Sequence, residues 1–301
     1  MKKEFYSNGK LLITGEYVVL KGAKALALPT KYGQSLTVEK KNAPGIHWTS
    51  YDHDGSIWFE TEISSAELIS EENEGPSVKT QLVRILKAAI SLNPNFLKDD
   101  FSLKVETHLS FPRNWGLGTS STLINNIAQW AEVNAFKLLD ESFGGSGYDI
   151  AAAQTNQSFW YQLKDGNPTF ETVNLNWKFT DRLFFIYLNR KQDSKLGIQR
   201  FSEVNKTSNE TFDAFNELTS KVIDCTNIKE FEKLLENHEE AISKLVQLPK
   251  VIEEFTDFHG TLKSLGAWGG DFILATGSEA DMDYFRKKGY ETIIPFQNMV
   301  K

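Results

Sequence analysis

The sequence predicts a mixed α+β fold, and three observations predict it. Strand-like and helix-like segments interleave without a regular βαβ rhythm. Three glycine clusters stand far apart, each beside a strand or a helix start. Strand-rich sequence gives way to helix-rich sequence near residue 175, so two domains are expected, 1–175 and 176–301.

The first sixty residues read as strands. Lys10–Ile13 and Tyr17–Leu20 flank Thr14-Gly15-Glu16, and Ala25–Leu28 is expected to stop at Pro29. Ser35–Lys40, Ile46–Ser50 and Ser56–Glu60 are further strands, separated by turn-rich sequence, and the acidic stretch 64–76 reads as a surface loop. Val78, Leu82, Ile85 and Ala89 share one helical face until Asn93-Pro94 closes it. A strand at Phe101–Thr107 precedes the first informative cluster, Trp115-Gly116-Leu117-Gly118-Thr119-Ser120-Ser121, which opens a helix through Ile124, Ile127 and Ala131. Gly144-Gly145-Ser146-Gly147 opens another at Tyr148-Asp149. Strands at Ser158–Leu163, Thr169–Val173 and Leu183–Leu188 precede two helices, with apolar faces Phe212–Val222 and Phe231–Leu245, and Gly266-Ala267-Trp268-Gly269-Gly270 leads into a strand at Asp271–Ala275.

Composition narrows the function. With 40% hydrophobic residues the chain can bury a core, and 33 basic against 40 acidic residues give a net charge of -7. An acidic surface argues against nucleic-acid binding but leaves room for a small local cationic site. The single Cys225 cannot form an internal disulfide, no apolar h-region follows Met1-Lys2-Lys3, and apolar runs such as Leu183–Leu188 are far below a membrane span. The expectation is a soluble cytoplasmic protein with no membrane partner. His47, His53, His108 and His259 have no metal-ligand spacing with one another or with Cys225, so no zinc site is expected. His238 falls on the apolar face of its helix and reads as packed.

Gly116-Leu117-Gly118-Thr119-Ser120-Ser121 has the ingredients of an anion site: glycines let backbone approach a ligand, and helix-start amides carry partial positive charge. Taken alone it reads equally as a tight turn with an ordinary Ser/Thr cap. A P-loop is excluded because no Lys follows Gly118 at the required place, and a Rossmann fingerprint fails as well. Asp149 at a helix start is by itself a cap or dipole partner, or else a carboxylate that orients or deprotonates a substrate hydroxyl. Lys10, within reach, would keep such a carboxylate ionised.

Taken together, the clusters resemble the three motifs of the GHMP kinases, the superfamily of galactokinase, homoserine kinase, mevalonate kinase and phosphomevalonate kinase. Asn8 to Leu20 match motif one, Gly116 to Ser121 motif two, and Gly266 to Asp271 motif three. Gly15-Glu16-Tyr17, the stretch Ser146-Gly147-Tyr148-Asp149 and the closing Asp271 are most similar to phosphomevalonate kinases. The resemblance implies a ribosomal protein S5 domain 2-like N-terminal domain and a ferredoxin-like C-terminal domain. It also implies ATP and Mg²⁺ as cofactors. Gly116, Leu117, Gly118, Thr119, Ser120 and Ser121 would cradle the phosphates, and Ser120 would ligate the metal. Asp149 would be the catalytic aspartate, assisted by Lys10. Glu16, Ser146, Gly147, Gly266, Gly269 and Gly270 would lie at the substrate side. Asn114, Thr119 and Trp268 depart from the family pattern, Trp268 placing a ring where a glycine is usual.

An acidic small-molecule substrate needs cations, and Arg190, Lys191 and Lys195 follow the strand Leu183–Leu188. By themselves they read first as a solvated basic loop. The expected activity is γ-phosphoryl transfer from ATP to a mevalonate-type acid, mevalonate or phosphomevalonate, by a monomer or homodimer. Kinases of another hydroxylated metabolite (a sugar or homoserine), a non-catalytic ligand-binding member and diphosphomevalonate decarboxylase stay as alternatives.

Overall fold

A computed structural model describes residues 2–70, 75–98, 101–190, 199, 201, 209–266, 268 and 271–301. The chain divides into two compact units. One comprises Met1–Gly9, Tyr32–Arg113 and Leu117–Gln154; the other comprises Lys10–Lys31, Asn114–Gly116 and Thr155–Lys301.

In the first unit, β3 (Gly45–Tyr51) pairs antiparallel with β4 (Ile57–Ile63) and parallel with β5 (Ser102–Leu109). β5 pairs antiparallel with the second part of β2 (Ala25–Lys40), from Gln34 onward. Alternate residues Leu36 and Val38, Ile46 and Trp48, with Val105, are buried on one face of this sheet. Helices α2 (Val78–Leu92), α3 (Thr119–Ala131), α4 (Ala135–Ser142) and α5 (Tyr148–Gln154) cover it through Leu82, Leu86, Ile124, Ile127, Leu138 and Ile150. Each such aliphatic side chain taken fully out of water contributes roughly 1.5–3 kcal/mol. The N-terminus of α2 is fixed by Ser77, whose hydroxyl accepts the Thr80 amide at 3.1 Å.

The second unit holds the first part of β2, where Ala25–Ala27 pair with β6 (Phe159–Lys164), and β6 pairs with β7 (Asn167–Thr172). It also holds a separate antiparallel sheet of order β11-β8-β10-β9: β8 (Leu183–Tyr187), β9 (Leu262–Ser264), β10 (Phe272–Thr276) and β11 (Ile293–Pro295). With α6 (Asn209–Asp224) and α7 (Ile228–Val246) between β8 and β9, and α8 (Asp283–Lys287) between β10 and β11, this order is ferredoxin-like. The mixed α+β class read from the sequence is therefore the observed one.

Local expectations fail at four places. Pro29 does not end a strand: β2 continues through it, because Pro29 falls between the β6 ladder at 25–27 and the β5 ladder at 34–40. Its carbonyl accepts the Lys301 amide at 3.1 Å. Tyr17–Leu20 is no strand but leads into a 3₁₀ turn, Val18–Lys21, bounded by Gly15 and Gly22, both at φ 90°. The expected loop 64–76 contains α1 (Ser65–Ile69), started by a capping box between Ser64 and Glu67. Helix α4 was not anticipated, although Asn134 accepts the amides of Phe136 and Lys137 as a cap. Among the described residues, no helix is long and apolar enough to cross a membrane.

Candidate active site

In the first unit the glycine cluster ends in α3. Gly118 occupies its N-cap position at φ 93°, ψ 44°, a left-handed backbone that glycine adopts without strain, and it offers no side chain to the helix start. The amides of the first turn are thus left for an external acceptor. The Ser121 hydroxyl turns back to the Gly118 carbonyl at 2.9 Å, and the buried Thr122 hydroxyl lies 2.8 Å from Gln34 Oε1. These two hydroxyls close the loop from within. Ser120 is exposed and makes no side-chain hydrogen bond to a described residue, Thr119 is half-buried, and Leu117 anchors the loop in the core. Asp149 lies in the first turn of α5, half-buried, with Oδ1 accepting the Ile150 amide at 3.0 Å. Gly147 precedes it at φ 81°, its carbonyl accepting the Ala151 amide, and Ser146 is buried. Helix α5 is tied to α3 by Gln154 Nε2 donating to Asn125 Oδ1 at 2.9 Å.

In the second unit, residues of all three motifs meet. Lys10, on β1 (Lys3–Thr14), donates from Nζ to the Gly116 carbonyl at 2.8 Å. Gly116 is at φ 67°, and a Cβ there would lie 2.3 Å from Asp271 Oδ2. A Cβ on Gly266, also at φ 67°, would lie 3.6 Å from the same oxygen. The Asp271 carboxylate therefore packs between two glycines 150 residues apart in the chain. Its backbone is at φ 51°, its amide donates to the Arg190 carbonyl, and its carbonyl accepts the Leu188 amide, both at 2.9 Å. Trp115 packs edge-on against Phe272 at 5.3 Å. Burial, and next the Asp271 charge, push the Tyr187 phenol above its ordinary value.

Glu16 is 2% exposed and its Oε1 accepts Lys263 Nζ at 2.5 Å; Lys263 and His238 are both 0% exposed. His238 Nε2 accepts the Gly15 amide at 2.9 Å, so that nitrogen carries no proton. Burial, with the Lys263 charge, holds the imidazole well below its usual value. Its 3.3 Å approach to Glu16 Oε2 is therefore not an ion pair. Burial lifts the Glu16 carboxyl to about 7 against the pull of Lys263. Glu239 is likewise raised by burial, while accepting the Ser264 amide and hydroxyl and the Val251 amide. Two buried carboxyls thus share one buried ammonium.

Arg190 is exposed, both oxygens of Glu254 lying 2.8 Å from its Nη2. Lys191, Lys195, Gly269 and Gly270 lie outside the described residues. The Trp268 ring is buried with Tyr17, Val18, Phe215 and Ile242, and its Nε1 donates to the Pro249 carbonyl at 2.8 Å. The sequence reading placed no contact role on Lys263, Tyr17 or the Asp271 carboxylate. Lys263 had one weak signal, a lone cation between Leu262 and Leu265 in a short strand-like stretch.

No family model matches the chain, and no curated protein matches it. Solved structures do. Methanococcus jannaschii mevalonate kinase superposes with a TM-score of 0.70 at 15% identity, over 98% of this chain and 97% of the other. Streptococcus pneumoniae phosphomevalonate kinase, in complex with phosphomevalonate and AMPPNP, gives 0.70 at 15% over 97% and 99%. Lactococcus lactis galactokinase, complexed with galactose, gives 0.68 at 13% over 98% and 94%. At these identities the likeness is one of fold: the chain has the GHMP kinase fold.

Proposed function

We propose that this chain is an ATP-dependent phosphotransferase acting on a small, mevalonate-type acid. The observation that carries the reading is the meeting of Lys10, Gly116, Gly266 and Asp271, one or more residues from each motif, at one place in a fold shared with kinases of mevalonate and phosphomevalonate.

The residues fit a triphosphate. The first turn of α3, with no side-chain cap, and the glycine backbone at Gly118 offer amides and room for phosphate oxygens, and the exposed Ser120 hydroxyl is an oxygen donor of the kind Mg²⁺ takes alongside phosphates. When bound, the metal supplies neutralisation of phosphate charge. Among the described residues no cluster of His, Cys, Asp or Glu forms a metal site of its own, so Ser120 is the metal contact this reading names. The Asp149 carboxylate, in the first turn of α5, is assigned to accept the proton of the acceptor hydroxyl as its oxygen attacks the γ-phosphorus and the P–O bond to the departing ADP breaks. Lys10 fixes the carbonyl at the head of the glycine loop and brings a positive charge to it. Ser146, Gly147, Arg190, Lys195 and the 266–270 stretch are assigned to the acceptor side; Glu16, expected there from the sequence, is buried against Lys263 and is assigned to holding the motif-one turn.

ADP release over a panel of mevalonate, phosphomevalonate, galactose and homoserine, with Mg·ATP, tests this. Turnover with one of the two acids supports the reading. Turnover with the sugar or homoserine alone moves the acceptor class, carbon dioxide release from a diphosphorylated acid points to the decarboxylase, and nucleotide binding without turnover rejects the enzyme.

A further inference from the structure

The turn at the end of motif one is strained and clamped. The Val18 amide donates to the Glu16 carbonyl at 2.7 Å, closing a three-residue γ-turn whose central residue, Tyr17, is at φ 63°, ψ -48°. This hand of the turn is rare and unfavourable for a residue with a Cβ, and such backbone persists only where its surroundings over-determine it. Here two contacts do so. The Glu16 carboxylate is held by Lys263 of β9, and the Tyr17 hydroxyl accepts the Trp268 amide at 2.9 Å. Both contacts land on the same stretch of chain, three residues before Gly266 and two residues after it. The Trp268 side chain, buried and bonded to Pro249, prevents that amide from finding another position without moving the core around Phe215 and Ile242.

We propose that Tyr17 and Lys263 are positioning residues. They tie the strained motif-one turn to the motif-three segment, so that Gly266 and Asp271 stay packed against Gly116 while Lys10 holds the Gly116 carbonyl. The inference rests on the phosphotransferase reading for its kinetic consequence but not for its structural one. Neither side chain touches a reacting atom in this account: Lys263 is fully buried, and the Tyr17 hydroxyl is taken by a backbone amide.

Tyr17→Phe is the direct test, because it keeps the ring in its apolar surroundings and removes only the hydroxyl that accepts the Trp268 amide. A single neutral hydrogen bond is worth about a three- to tenfold change in an equilibrium. The expected result is hydrogen exchange at the Trp268 amide faster by about that factor, with amides of β5 and α2 unchanged. On the acceptor the panel identifies, kcat falls by a similar factor while KM for ATP stays within about twofold, the split expected for lost positioning rather than lost binding. Lys263→Met is the second variant, expected to loosen the same amide from the other anchor. Unchanged Trp268 exchange in both variants overturns the proposal, as does faster exchange with kcat untouched. A wild-type protein that turns over no acceptor refutes the phosphotransferase reading instead, and the exchange rates alone then decide whether the clamp exists.

Discussion

Replacing Lys263 by Met removes the one cation from a buried cluster of two acids, and the structure says how the cost depends on pH. In the wild type, burial sets the Glu16 carboxyl at about 7 against a reference of 4.5. A raised folded-state value means that the protonated form favours the fold. The contribution is therefore full below 4.5, declines as pH rises to about 7, and is flat above it, where Glu16 ionises against Lys263. Without the ammonium, ionisation inside the fold is blocked and the decline continues past 7 at about 1.4 kcal/mol per pH unit. Glu239 loses the pull of the Lys263 charge but keeps its three donors from Ser264 and Val251, whereas Glu16 Oε1 loses its side-chain donor. At pH 6 Glu16 can hold a proton in place of its lost partner, so the variant should cost less than the roughly 3–5 kcal/mol of leaving a buried charge unpaired. At pH 9, two units above the wild-type value, the variant should be worse by about 3 kcal/mol relative to its deficit at pH 6. Urea unfolding of both proteins from pH 6 to 9 reads this directly, since groups common to both cancel in the difference. Parallel stability curves above pH 7 would refute the reasoning that Lys263 is what permits Glu16 to ionise.

Two further substitutions probe the motif junction. Gly116→Ala puts a Cβ 2.3 Å from Asp271 Oδ2 on a backbone at φ 67°, so it should destabilise by about 1–3 kcal/mol in thermal unfolding, and Asp271→Ala in the same chain should recover part of the loss. Lys10→Met removes the cation that holds the Gly116 carbonyl and should lower kcat by about 10²–10³ while stability changes little, measured by ADP release and by thermal unfolding.

Where the sequence carried a periodic signal, the fold was legible. The i, i+3, i+4 face of α2 and its stop at Asn93 appear as read, and the apolar faces of α6 and α7 likewise. The strand at Pro29 was misread because proline was taken as a stop, when the missing amide is harmless between two ladders. Val18 and Val19 have strand-like side chains, yet Gly15 and the γ-turn at Tyr17 had already turned the chain, a backbone event that residue type does not announce. The glycine clusters could be found because glycine is demanded where φ is positive and another group packs close, as at Gly116 and Gly118. What packs there could not be found: that Asp271 fills the space beside Gly116, or that Lys263 meets Glu16, depends on contacts 155 and 247 residues apart in the chain. His238 was readable as packed from its helical face, but its bond to the Gly15 amide was not.

The central claim is that this fold transfers phosphoryl groups with the help of one acid. Asp149→Asn, compared with the wild type on the same acceptor and in the same nucleotide titration, tests it most directly. The account predicts turnover reduced by about 10²–10⁴, with AMPPNP affinity within a few-fold of the parent. Equal rates from the two proteins would contradict it.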